Sequence, residues 1–513
     1  MASAGRAILA IDEGTSGTRA GLVAPDGSVS CVNHAALTLK SPRHGVVEQD
    51  ADAILASTVE VCLRTIAEAA AKGIEITAVA LATQRATSVL WDTRTGRALV
   101  PAMVWQDSRH AAELKDLSIR WDYRLIASTG RPTGMRSPFL WAARHIEATP
   151  EVRAAWKARS LGFGTIDTWL LWHLSEARRC VTTPSNAAPT GGFALAQNDY
   201  LRDWLDALHF PADLLPQVVQ EADDFGFSRR DVLGIRVPIR ASCGDQAGGI
   251  VGLGCLEAGQ ALCVHGTGSF FHLLTGTSPA AVPGLYEATV TTPTWRRHGL
   301  TSFAVETFVA ATGSALNWMA SDMRWFESGE EISALAASVA GTEGLAFLPA
   351  LTGLRLPVLA PDCRASVTGL SMAHGRAHLA RAVLEGIAHA VVSCAEASAR
   401  SAAMPVTEVL AGGGLSASDV LLGLQADLGG TPVRRMAGAE HATLRGAAFL
   451  AGSDGLFWDG LRETRATLPE GETFMPSIGD DERQQRRARW LAIAEQEIER
   501  AASQAASEGK QDA

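Results

Sequence analysis

An apolar strand that stops at a Gly/Thr/Ser turn and resumes as a second apolar strand occurs twice in this chain. The first copy runs Ala7-Ile8-Leu9-Ala10-Ile11, then Asp12-Glu13-Gly14-Thr15-Ser16-Gly17-Thr18-Arg19, then Ala20-Gly21-Leu22-Val23. The second runs Leu262-Cys263-Val264, then Gly266-Thr267-Gly268-Ser269, then Phe270–Leu274. Two such hairpins about half a chain apart predict two related lobes. A turn of this composition can aim bare backbone N–H groups at an anion, usually phosphate. Each lobe is therefore expected to offer one phosphate-binding hairpin to a shared cleft.

The bulk numbers agree. A chain of 513 residues, 47% hydrophobic and 19% charged, has ample core and is too long for one. A net charge of −10, with no basic block outside the tail, argues against nucleic acid or an anionic membrane surface as the main partner. The eight cysteines stand far apart with no C-x-x-C, which predicts reduced thiols and a cytoplasmic protein. Met1–Arg6 carries no signal-peptide pattern, and no uninterrupted apolar run reaches membrane-spanning length.

Between the two hairpins lies a lone acid among small residues, Gly244-Asp245-Gln246, delivered by a strand over Pro238–Ser242. Gly248, Gly249, Gly252 and Gly254 follow, and they predict a flexible joint between the lobes. Asp245 is thereby placed across the cleft from a bound phosphate. Asp12 has two readings: a turn acid capping its own loop, or a ligand, direct or through water, for the Mg²⁺ that accompanies phosphate. Arg85 and Trp105 close strands where loops begin, a common place for binding groups. Ala411-Gly412-Gly413-Gly414 ends another strand and lets backbone approach a flat ligand such as a nucleotide. Helices are expected over Asp50–Ala71, Arg376–Arg400, Ser418–Leu428 and Thr443–Gly452, with a charged helix from Asp480 that ends in a polar tail from Ser503. His374 and His378 lack a third ligand at sensible spacing and read as cap or core histidines.

Taken together, these motifs resemble the FGGY family of carbohydrate kinases, and within it the glycerol kinases most closely. Ala365–Glu385 (ASVTGLSMAHGRAHLARAVLE) fits the family's C-terminal signature. Asp12-x-Gly14-Thr15, Thr83-Gln84-Arg85, Trp105-Gln106-Asp107, Gly162–Trp169, Gly244-Asp245-Gln246 and Gly266-Thr267-Gly268 stand in family order, from about Ala7 to Gly452. The resemblance implies an α/β protein of two ribonuclease-H-like, actin-like lobes with ATP and acceptor in the cleft. The expected division is an N-terminal lobe over 1–247, a nucleotide-binding lobe over 248–458 and a C-terminal helix and tail over 459–513.

The resemblance also implies roles. Asp245 looks like the general base on the acceptor hydroxyl. Thr15, Ser16, Gly17 and Arg19 match the first phosphate loop and Thr267 the second. Gly313, Asn317, Gly414 and Ser418 match further nucleotide contacts, although the family has Gln at the position of Asn317 and Asn at that of Ser418. Arg85, Trp105, Gln246 and Phe270 match polyol contacts. Asp12 and Asp245 would serve Mg²⁺. An ordinary carboxylate is ionised at neutral pH, so Asp245 is expected to need position more than a shifted pKa.

Departures fall on the acceptor side. Glycerol kinases usually carry Glu after the Gln-Arg pair, where this chain has Ala86, and Tyr after a Thr-Gly turn, near where it has Arg136. The Lys expected shortly before a Trp is also missing from Phe139-Leu140-Trp141. A buried hydroxyl without its partner costs about 1–3 kcal/mol. The first expectation is an ATP-dependent kinase phosphorylating a primary hydroxyl of glycerol or a close relative. A larger polyol or ketose, or an acceptor whose acidic group pairs with Arg136 or Arg131, is the alternative. From another class stands a non-catalytic, actin-like nucleotide sensor. The intact Asp245, and a first strand that starts by Ala7 without room for a DNA-binding segment, speak against it. The resemblance further implies a homodimer, with no dimer surface readable in the residues.

Overall fold

The computed structural model describes residues 5–279 and 288–508. The first lobe is built on β1 (Arg6–Glu13), β2 (Gly17–Val23), β3 (Val29–Ala36), helix α1 (Ala51–Ala71), β4 (Glu75–Thr83), β5 (Ile239–Gly244) and helix α2 (Asp245–Gly252). The second is built on β6 (Gln260–His265), β7 (Ser269–Gly276), β8 (Val290–Arg297), β9 (Leu300–Val309), α3 (Gly313–Ser321), α4 (Arg376–Ala402), β10 (Glu408–Gly412), α5 (Asp419–Gly429), β11 (Val433–Arg435), α6 (Ala442–Gly452), β12 (Thr473–Phe474) and α7 (Asp480–Glu508).

The two sheets repeat one plan. The first has strand order β3-β2-β1-β4-β5; the second has β8-β9-β7-β6-β10-β11-β12. The first opens with three antiparallel strands, β1-β2-β3, and the second with four, β6-β7-β9-β8; each is extended by two parallel strands, β1 with β4 and β4 with β5, then β6 with β10 and β10 with β11, and β12 closes the second sheet antiparallel to β11. The repeated hairpin is thus the opening of each sheet.

Why β1 is apolar throughout follows from its cover. Leu9 and Ile11 pack with Ile54 and Val61 of α1, while Ile8 and Ala10 meet Leu444, Ala447 and Ala448 of α6 on the other face. A strand covered on both faces has no reason to alternate. Helix α6 is buried along its whole length, between the first lobe's sheet and α2. It lies late in the chain, in the stretch expected to belong to the second lobe, yet it completes the core of the first. Helix α2 likewise runs through the expected division at 247/248.

The glycines after Asp245 have a different role from the expected one. They form α2, and α2 presses against α6 so closely that a Cβ on Gly252 would sit 1.8 Å from the Ala442 carbonyl oxygen. A Cβ on Gly446 would sit 1.8 Å from that of Gly248. Glycine here permits helix contact rather than a loose joint. Among the described residues α4 is the one helix long and apolar enough to cross a membrane, and most of it is buried in the second lobe's core. His374 and His378 cap turns at its start, each accepting a backbone N–H through Nδ1, from Ser371 and Gly375.

Candidate active site

Parallel register brings the site together. Thr83 stands level with Glu13 on one side and with Gly244 on the other. The carboxyl ends of β1, β4 and β5 therefore lie side by side, where open α/β sheets bind ligands. The residues that follow each strand are the Gly14–Ser16 turn, Gln84-Arg85-Ala86 and Asp245.

Asp245 opens α2, and its Oδ1 accepts the Gln246 N–H at 2.7 Å. The Arg85 Nε lies 3.5 Å from the same oxygen. Arg85 also donates through Nη1 to Glu306 Oε2 at 2.8 Å, and Glu306 lies on β9 of the other lobe. His272, the cross-strand neighbour of Glu306 on β7, contacts the same Oε2 through Nε2 at 3.1 Å. Burial alone would push Glu306 up; the Arg85 charge and the His272 hydrogen bond outweigh it and hold this carboxyl well below the usual range. Asp245 goes the other way. Burial, only partly offset by Arg85, raises it to about 6. It is still mostly ionised at neutral pH, but its pKa is shifted, contrary to the expectation that an ordinary carboxylate would do.

The first turn is tied to the acceptor side. Thr15 Oγ1 accepts the Trp105 indole N–H at 2.9 Å and donates to Gln84 Oε1 at 3.2 Å. Gln84 spends its amide on Glu13 Oε1 and Gln49 Oε1. Trp105 keeps a partly exposed ring over this network. Ser16 is exposed, and a Cβ on Gly17 would strike His34 and the Ala35 carbonyl. Asp12 and Arg19 are cross-strand partners, and their ion pair closes at 2.6 Å. Burial raises Asp12 while Arg19 opposes it. Arg19 also donates to the Glu440 carbonyl at 3.0 Å, reaching toward the second half of the chain.

The second turn mirrors the first. The Gly266 N–H bonds Gly268 O at 2.9 Å, as the Gly14 N–H bonds Gly17 O at 3.0 Å. Thr267 is exposed at its tip, and its carbonyl accepts from the Thr312 and Ser314 N–H groups at 3.1 and 3.0 Å. Gly313 opens α3 so close to this turn that a Cβ would lie 2.4 Å from Gly266 O. Asn317 is exposed one turn further along α3. Gly414 follows the end of β10 with open space around its α-carbon. Ser418 is buried and its Oγ caps α5, accepting the Leu421 N–H at 3.3 Å, so this hydroxyl serves the helix. Phe270 stacks on Phe308, ring centroids 5.2 Å apart.

Ala86 is fully buried with φ of 64°, a left-handed backbone uncommon for a residue with a side chain and typical of constrained sites. Arg136 donates to the Pro189 carbonyl at 3.2 Å and feels the charges of Arg131, Arg85 and Glu306. Sequence reasoning gave no role to Glu306, His272, Gln84 or Glu13, although Gln84 stands in the Thr83-Gln84-Arg85 motif. One signal was available: Glu306 is a single acid inside the apolar run Ser302-Phe303-Ala304-Val305-Glu306-Thr307-Phe308-Val309.

Cation fit can be judged from the acids. Burial raises Glu13 well above its usual range, and the charges of Asp12 and Asp245 add to that. Its Oε2 is buried with no hydrogen-bond partner among the described residues. Three carboxyl groups, Asp12, Glu13 and Asp245, thus lie within electrostatic reach of one another, and a nearby cation would favour their ionised forms. Among the described residues no three His, Cys, Asp or Glu side chains converge to hold an ion by themselves. Mg²⁺ keeps waters and takes one or two carboxylates plus phosphate oxygens, a donor set that Asp12 and Asp245 could join.

Comparison with known proteins places this geometry. The chain matches the N-terminal domain of the FGGY family of carbohydrate kinases over residues 7–252 and the C-terminal domain over 261–454. It is 36% identical to a glycerol kinase from Aromatoleum aromaticum over 493 residues, covering 95% of this chain and 98% of that one. It is 34% identical to one from Thermus brockianus over 492 residues, again 95% and 98%. The fold superposes on Plasmodium falciparum glycerol kinase with ADP at a TM-score of 0.91, with 24% identity over 96% of this chain and 98% of that one. Two repeated sheets with a hairpin each, an acid at the carboxyl end of the first and matches over both halves lead to one assignment: the chain belongs to the FGGY family and is an ATP-dependent carbohydrate kinase.

Proposed function

We propose that the protein transfers the γ-phosphoryl group of ATP to a primary hydroxyl of a small polyol, glycerol or a close relative, with Asp245 as general base. The observation that carries this is Asp245 itself, raised to about 6 by burial yet steadied by Arg85 at 3.5 Å, at the carboxyl edge of the sheet. Phosphoryl transfer asks for alignment and charge neutralisation more than covalent help. Asp245 orients the hydroxyl and takes its proton. Arg85, Trp105, Gln246 and Phe270 form the acceptor site, with Ala86 and Arg136 at its border. Thr15, Ser16, Gly17 and Arg19 face the phosphates from one side and Thr267 from the other. Gly313, Asn317 and Gly414 border the nucleoside; Ser418 supports that border by capping α5.

Asp12 and Asp245 would hold Mg²⁺ through water, and the ion would supply charge neutralisation for the phosphates. Arg19 keeps Asp12 in place until then. The eight cysteines are all free thiols, and we place the protein in the cytoplasm, where ATP is at hand. The test is ADP release with ATP and Mg²⁺ over glycerol, tetritols, pentitols and ketoses. Turnover of at least one supports the reading. Tight ATP binding with no acceptor turned over would favour a nucleotide sensor instead.

A further inference from the structure

Arg136 is a cation that the protein leaves without a carboxylate. Among the described residues its guanidinium makes one hydrogen bond, from Nη2 to Pro189 O at 3.2 Å, and its Nε is buried with no partner. Among the described residues Glu306 is the one acid whose charge reaches it, and Glu306 is already bonded to Arg85 and His272. Burial, then the charges of Arg131 and Arg85, push the Arg136 guanidinium down to about 10. It remains charged at neutral pH, so the folded protein carries the cost of a half-buried charge with no carboxylate bonded to it.

Its place in the chain adds to that cost. Ser137 caps the helix Pro138–Ala148, accepting the Leu140 N–H at 3.3 Å. Arg136 therefore precedes the positive end of a helix dipole, where an anion is favoured and a cation is not. The loop is also fixed to the lobe junction, because Gly130 O accepts the Thr291 N–H of β8 at 3.0 Å. Pro189, which holds Arg136, lies in the segment whose Ser185 Oγ accepts the Gly244 N–H beside Asp245 at 3.0 Å. The unpaired cation and the base are framed by the same backbone.

We infer that the preferred acceptor carries a carboxylate, gripped by Arg136 while a hydroxyl at its other end faces Asp245. This rests on the kinase reading above and narrows its substrate class to short polyhydroxy acids. A guanidinium fork matches a carboxylate bidentately. Ala86, beside Arg85, offers only a methyl group, so it puts no negative charge against an acid. In the transfer the hydroxyl oxygen forms the new bond to the γ-phosphorus. The bond from that phosphorus to the β–γ bridging oxygen breaks, its electron pair leaves with ADP, and the hydroxyl proton passes to Asp245. The carboxylate does not react.

A phosphate monoester would present similar oxygens, so the test includes one. Erythronate is paired with erythritol, threonate with threitol and glycerate with glycerol, and erythritol 4-phosphate is added. Binding to the intact protein with ADP and Mg²⁺ is read by calorimetry, and turnover with ATP by ADP release. At least one acid should bind on the order of 10- to 100-fold more tightly than its neutral partner. Arg136→Gln should erase that ratio and Arg136→Lys restore part of it. A preference seen with erythritol 4-phosphate alone overturns the carboxylate in favour of phosphate. Neutral members binding as tightly as acids in every pair, or a preference that survives Arg136→Gln, overturns the anion site itself. Turnover is scored separately: an acid preferred in binding but never phosphorylated, while a neutral polyol is, overturns the acid as acceptor and leaves the kinase reading standing, whereas no turnover of any member overturns the kinase reading.

Discussion

The Arg85 guanidinium and the Glu306 carboxylate meet at 2.8 Å across the cleft, one just past the end of β4 and the other on β9. Both are largely buried, and Arg85 reaches Asp245 with its Nε. The position of the base is thereby coupled to the second lobe.

Replacing Glu306 with Gln should release Arg85 toward Asp245. The Glu306 charge raises Asp245 and Arg85 lowers it, so both changes move the acid limb of kcat/KM below its wild-type position near pH 6. The misplaced Arg85 should also cost about 10- to 100-fold in kcat/KM. A pH profile of the variant checks both. An unmoved acid limb would show that Glu306 serves structure alone.

Contact between α2 and α6 makes a paired prediction. Gly446→Ala should force the helices apart, since its Cβ would meet Gly248 O at 1.8 Å, and should lower stability by about 1–3 kcal/mol or more. Gly249→Ala, on the same α2 but with open space, should be neutral or stabilise by up to about 1 kcal/mol. Thermal unfolding of the two variants side by side distinguishes them.

Asp12 separates its two readings through magnesium. Asp12→Asn should raise the Mg²⁺ concentration for half-maximal turnover by roughly 10-fold, and chelation should abolish turnover of the wild type. If Asp12 were only a turn acid partnered by Arg19, stability would fall and the Mg²⁺ dependence would stay.

Much of this was legible in the residues because it rests on local pattern. The two hairpins predicted two sheets, and both open with them. The apolar strand expected to deliver Asp245 is β5, and Asp245 follows its end. Partners set by register across the cleft were not legible. Nothing near Glu306 in sequence points to Arg85, and the pairing exists only because two sheets face each other. The glycines after Asp245 were misread for the same reason: looseness and close packing call for the same residue, and the helix that decides between them lies almost 200 residues further on. Helix α6 crosses to the first lobe because its all-round apolar surface needs cover on every side, a demand that sequence shows without naming the cover.

The most direct measurement is kcat/KM against pH for the wild type and for Asp245→Asn, with whichever acceptor the panel identifies. A base raised to about 6 must lose its proton to work, so wild-type activity should fall as pH drops through about 6. Asp245→Asn should lose about 100- to 10,000-fold and lack that limb. A variant that kept its rate, or kept the limb at the same pH, would contradict Asp245 as the base on which this account depends.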